Sequence, residues 1–265
     1  AYQGGDLAGI TKRLDNKKEL GITMIVLSPI MKNTYHGFHG YWIEDFKEID
    51  EQFGTFSDLE ELIGEAHARD MKVVLEFVTN YVAKDHEIAT DPTYADWVLT
   101  EEVTGPDWTG NVVQLNQENP DVQDFLIDAA TFWLQETDID GLVLHAADQS
   151  SIAFLNRLTT ELKEEFPDKY LLADILDPAA DIDELVANTV FDAVDDYDLG
   201  NAISEVFSAP DQSATEIYEV YEQTADRHSL LFVDDKYSKR FTQKAAENGR
   251  NSVTSWMLTL TYMYT

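Results

Sequence analysis

The chain reads as an α/β protein, a (β/α)8 TIM barrel, on three observations. Apolar strand-like runs alternate with helix-period segments from end to end, as in a parallel sheet with crossover helices. The strands are continuous apolar runs, the pattern of strands covered on both faces. Periodicity alone leaves a doubly wound sheet open, but no GxGxxG or GxxxxGK loop follows a strand, which favours the barrel. At 265 residues the chain is the size of one such domain.

The first strand is ITMIVLSPI, residues 22–30, closed by Pro29. In SDLEELIGEAHAR, Ser57 is placed to cap a helix with Glu60 three residues on, and Leu59, Leu62, Ile63 and Ala66 share one face. MKVVLEFV, 71–78, is a buried strand. Residues 83–119 are polar and carry turn residues, a long excursion between a strand and its helix, and loops of that length usually carry function. Pro120 and Asp121 open a helix in which Val122, Phe125, Leu126, Ala129, Phe132 and Trp133 keep helical period, and GLVLHAA, 141–147, is the next strand. YLLADIL (170–176), VFDAVDDY (190–197) and SLLFVDD (229–235) continue the alternation, with a last helix near 242–262. Six strands result.

Eighteen basic residues against 51 acidic ones give a formal charge of -33, which repels phosphate backbones and anionic lipid. Nucleic acid is therefore a poor partner, and the acidity fits a solvated surface in high salt or outside the cell. With no cysteine, disulfides and thiolate metal sites are excluded. No run approaches the roughly 20 apolar residues that span a bilayer. AYQGGDLAGI lacks the basic start and apolar core of a signal peptide, so any export signal is expected outside this chain. The six histidines show no metal-ligand spacing, and YHGFHG, with His36 and His39, reads as a loop; no cofactor is expected.

The stretch YHGFHGYWIEDFKEIDEQFGTFSDLEELIGEAHARDMKVVLEFVTN resembles the α-amylase superfamily, glycoside hydrolase family 13. GGDLAGITKRLD, LGITMIVLSPI, LNQENPDVQDFLIDAATFWLQETDIDG and the pair Arg240 and Phe241 support it, so the likeness covers nearly the whole chain. It implies an amylase-type barrel over residues 1–265 with a short B-domain-like insert at about 83–117. It also implies that the family's first and eighth strands are missing here. The chain is then a segment of a longer protein, the simpler explanation, or an opened barrel whose edges need covering.

Retaining glycoside hydrolysis needs a carboxylate nucleophile and a second carboxyl group as acid and base, roughly 5 Å apart. By the resemblance, His145 in GLVLHAA stands where the nucleophile belongs and Val143 where the family has a positioning arginine. Asp174 replaces the acid/base glutamate, one methylene shorter. The third carboxylate's Asn-His-Asp triplet becomes Asp235, Lys236 and Tyr237. In EFVTNY, Glu76 takes the place of an aspartate, Asn80 is kept and Tyr81 replaces a histidine; Tyr41 and Trp42 keep an aromatic platform.

The resemblance therefore implies a catalytically inactive amylase-like domain. It would bind a glycan through Tyr41, Trp42 and Asn80, or a protein partner, within a larger extracellular or membrane-attached protein. The alternative is an active α-glucan hydrolase with a rewired carboxylate set that uses Asp174. Asp148, Asp177, Asp234 and Asp235 are further acids near strand ends. Asp85, Asp91, Asp96, Glu101, Glu102 and Asp107 in the excursion are candidates for calcium, without EF-hand spacing.

Overall fold

Parallel pairing organises the first part of the molecule. The computed structural model describes residues 5–35, 37, 39–105, 107–235 and 239–263. Residues 1–174 with 188–191 form one unit, and residues 175–187 with 192–265 a second.

In the first unit the strands are β1 (Met24–Leu27), β2 (Met31–Asn33), β3 (Ile43–Ile49), β4 (Lys72–Val78), β5 (Tyr81–Ala83), β6 (Val112–Gln114), β7 (Gly141–His145) and β8 (Tyr170–Ala173). β4 lies between β1 and β7, and β7 between β4 and β8, every pair parallel. All but one residue of β4 and the whole of β7 are buried, which is why neither strand alternates apolar with polar. Gly141 is required where β7 meets β8, since a Cβ there would stand 2.0 Å from the carbonyl oxygen of Tyr170.

The helix Phe56–His67 buries the four residues expected of it, Leu59, Leu62, Ile63 and Ala66. Its cap is Thr55 rather than Ser57. The Thr55 side chain accepts from the Asp58 N–H while the Asp58 carboxylate accepts from the Thr55 N–H, and closing this capping box starts the helix two residues earlier. The helix Pro120–Glu136 buries Trp133, whose Nε1–H donates to the Phe46 carbonyl at 2.7 Å and ties the helix to β3. The sequence did not announce the antiparallel pair β2 and β3, whose register shifts twice. β5 and β6 pair antiparallel at the two ends of the polar excursion.

The second unit contains β9 (Ala193–Asp195) and β10 (Ser229–Leu230), a parallel pair. Both are shorter than the apolar runs imply. Buried Asp196 ends β9 by capping the helix Tyr197–Ser208, accepting from the Leu199 N–H at 3.1 Å and from the Ser229 hydroxyl at 2.6 Å. YLLADIL likewise ends as strand at Ala173, one residue before Asp174. The single helix expected near 242–262 is two, Phe241–Glu247 and Ser252–Met263, parted where Gly249 takes φ +73°. Leu199, Ile203, Val206, Ile217, Val233, Phe241 and Ala245 form this unit's core. Among the described residues six parallel strands are thus present, four in the first unit and two in the second.

Candidate functional site

Strand register assembles the site. Glu76 on β4 pairs with Val143 on β7, and Val78 with His145, so with the two-residue period of a strand Glu76, Val143 and His145 share one face. The Asp174 N–H continues the ladder by donating to the Leu144 carbonyl at 3.0 Å, which sets its carboxylate beside His145. His145 Nδ1 lies 2.9 Å from Asp174 Oδ2 and 3.0 Å from Glu76 Oε1. One ligating atom from each of the three residues lies within 4.8 Å of the others.

Side-chain exposure is 0% for His145, 7% for Glu76 and 15% for Asp174. Burial works against a charged imidazole here, but the hydrogen bonds and charges of Asp174 and Glu76 outweigh it and raise the His145 pKa. The next residue, Ala146, is left-handed with φ 52°, a conformation that costs a non-glycine residue about 1–3 kcal/mol. Asn80 holds that turn, donating from its amide to the carbonyls of His145 at 3.3 Å and Ala146 at 3.1 Å.

Aromatic rings stand over the triad. Gly40 takes φ +84° with its missing Cβ only 2.2 Å from the Pro29 carbonyl, and this turn delivers Tyr41. The Tyr41 hydroxyl donates to Glu76 Oε1 at 2.8 Å, and its ring centroid is 4.6 Å from that of His145. Trp108 stacks on Tyr41 at 4.7 Å, and the Trp42 Nε1–H holds it by donating to the Trp108 carbonyl at 2.7 Å. Burial pushes the His39 imidazole, which stacks on Tyr41 with ring centroids 5.5 Å apart, down to about 4. The Tyr81 phenol is pushed up to about 12 by burial and the charge of Asp148, and it donates to Gln149 at 2.9 Å.

Of the residues singled out in the sequence, the structure brings His145, Asp174, Tyr41 and Val143 to one place, with Tyr81 at the edge. Trp42 is one step removed, packed against His39 and the excursion. Both ends of the Asn80 amide are engaged inside the protein, its oxygen accepting from Gln117 at 2.9 Å and Ser150 at 2.8 Å. Lys236, Tyr237 and His36 lie outside the described residues. In the second unit Asp177 accepts from the Ala179 N–H, Asp234 from the Phe241 N–H and Asp235 from the Tyr197 hydroxyl. Among the described residues the excursion's acids form no cluster of three: Asp85 accepts from Thr34, Asp91 caps a short turn and Asp96 accepts from Asn119. Trp108 was missed, and one aromatic residue in a polar loop gives no signal that would have found it.

Residues 1–109 match the family described as "Alpha amylase, catalytic domain". The whole chain aligns at 30% identity with 48% of the maltogenic α-amylase of Bacillus acidopullulyticus. A cyclomaltodextrinase of Geobacillus thermopakistaniensis is 32% identical over 92% of this chain and 42% of its own. The α-amylase of Geobacillus thermoleovorans, solved with acarbose, superposes with a TM-score of 0.89 at 40% identity over 99% of this chain and 62% of that one.

This chain belongs to the α-amylase family. An α-amylase from Anoxybacillus agrees equally well, with a TM-score of 0.90 at 38% identity over 100% of this chain and 62% of that one. The fold is accordingly an amylase-type TIM barrel in part, and the chain spans about half the length of the curated relatives it matches. The site holds two carboxylates in reach of each other, with a histidine between them.

Proposed function

We propose that this chain carries the catalytic face of an α-glucan-acting glycoside hydrolase, with Glu76 and Asp174 as its carboxylate pair. The observation that carries the reading is their separation, no more than 4.8 Å between facing oxygens, which matches the close spacing of retaining enzymes. Relatives named as maltogenic α-amylase and cyclomaltodextrinase, and a solved α-amylase holding acarbose, support the substrate class.

Two ionised carboxylates this close repel, and hydrolysis needs one of them protonated. The raised pKa of His145 favours its imidazolium, and its Nδ1 proton faces both acids. Nδ1 lies where it can hand its proton to Asp174 as Asp174 gives one to the leaving oxygen, while Glu76 attacks the anomeric carbon. Asp174 is the most exposed of the three, as a group that meets the leaving oxygen must be. The Tyr41 hydroxyl aims Glu76 by donating to it.

The test is hydrolysis of starch and maltooligosaccharides by the protein carrying this chain, repeated with Glu76→Gln and Asp174→Ala. Turnover in the wild type that falls about 10²- to 10⁴-fold in each variant is expected. A second reading, a silent α-glucan-binding domain, is supported by the sequence resemblance, which aligns buried His145 with the family's nucleophile and Val143 with its arginine. Saturable acarbose binding with no turnover would select it.

A further inference from the structure

We propose that Glu76, His145 and Asp174 form a binding site for one divalent transition-metal ion, Zn²⁺ in the first instance. Three observations converge on it. One nitrogen and two carboxylate oxygens, each on a different strand or strand end, lie within 4.8 Å of one another and are nearly sealed from solvent. A tetrahedral Zn²⁺ with ligands at about 2.0–2.2 Å holds its ligand atoms roughly 3.3–3.5 Å apart. The observed 2.9 and 3.0 Å around Nδ1 need to open by a few tenths of an ångström, and the two carboxylate oxygens, within 4.8 Å, close by up to about 1.3–1.5 Å through side-chain rotation.

The second observation is the charge of the chain: a formal charge of -33 concentrates cations around it. The third is the outer shell: Tyr41 already donates to Glu76 Oε1 and fixes the orientation of that carboxylate.

A single imidazole with two carboxylates suits zinc or cobalt better than calcium, which takes six to eight oxygens. The fourth position would be open for water. Nε2 of His145 has no hydrogen-bond partner among the described residues, so the ring lacks its own outer-shell anchor, which lowers affinity about 10- to 100-fold against an anchored site. Bound metal would occupy Glu76, Asp174 and the His145 Nδ1, the groups proposed above to carry out hydrolysis, so metal and turnover exclude each other at this site and binding is read on the protein without sugar.

The experiment is titration of chelator-treated protein with Co²⁺ and then Zn²⁺, followed by visible absorption and calorimetry. One equivalent should bind, with a cobalt spectrum that zinc displaces, and His145→Gln and Asp174→Asn should each weaken binding at least about 10-fold. Because His145→Gln risks misfolding, selective broadening of one histidine's NMR signals by Co²⁺ in the wild type gives the same answer without substitution. Failure to saturate at one equivalent, affinity unchanged in Asp174→Asn, or no histidine signal affected would overturn the proposal and assign the ions to surface acids.

Discussion

His145 and Asp174 are joined across β7 and the end of β8 by a 2.9 Å contact from a ring nitrogen to a carboxylate oxygen, and the same nitrogen reaches Glu76 at 3.0 Å. One histidine thus serves two buried acids, and removing it takes the shared cation away from both. His145→Ala should destabilise the protein by about 3–5 kcal/mol near neutral pH, as measured by denaturant unfolding. Because the folded pKa of His145 is raised, its contribution is present below its unfolded value and lost as pH rises through the folded one, so the difference between the two proteins should shrink in alkali. Equal stability of the two proteins at neutral pH would show that the triad is not an ionic unit.

At the other end of the same strands, Asp140 accepts from the Val73 N–H, from Lys72 Nζ and from His67 Nε2, each at 2.8 Å. Burial acts to raise its pKa, but these three hydrogen bonds prevail and hold it below the usual 3.8. A carboxylate whose folded pKa is depressed contributes stability that is present above its unfolded value and lost as pH falls through the folded one. Stability should therefore fall with acid below about pH 4, and Asp140→Asn should flatten that slope while costing about 1–3 kcal/mol at neutral pH. Unfolding curves from pH 2 to 7 check both.

Gly141→Ala places a methyl group 2.0 Å from the Tyr170 carbonyl, so β7 and β8 must separate. A cost of about 1–3 kcal/mol is expected, and because His145 and Asp174 sit on those strands, acarbose affinity should fall with it. An unchanged melting temperature would contradict the close packing of the pair.

Trp108→Ala removes the ring that stacks on Tyr41 at 4.7 Å. Such a pair is worth about 0.5–1.5 kcal/mol, so stability should fall by about that amount, and acarbose binding should weaken as the Tyr41 ring loses its support. Calorimetric titration of both proteins measures it.

The strands were legible because burial on both faces leaves continuous apolar runs, and the 120–136 helix because its period is unbroken. The position of its cap was less so for the 56–67 helix, since Thr55 and Ser57 are both good caps and only the reach of Asp58 back to Thr55 decides between them. β9 and β10 were overestimated because the acids that end them, Asp196 above all, act through contacts distant in sequence. For the site, the sequence placed His145 and Asp174 at strand ends. That Glu76 shares their proton depends on the register of β4 against β7, which no spacing encodes. The same holds for the metal-ligand set: its members come from three strands, 69 and 29 residues apart, and no motif of short period contains them.

The central claim is that Glu76 and Asp174 work as one close pair, and the anomeric configuration of the first product tests it most directly. Proton NMR of a maltooligosaccharide digest, read within the first turnovers before mutarotation, should show the α-anomer, because a pair this close leaves no room for a water on the opposite face of the ring. Release of the β-anomer, or of no sugar at all from wild-type protein that binds acarbose, would contradict it.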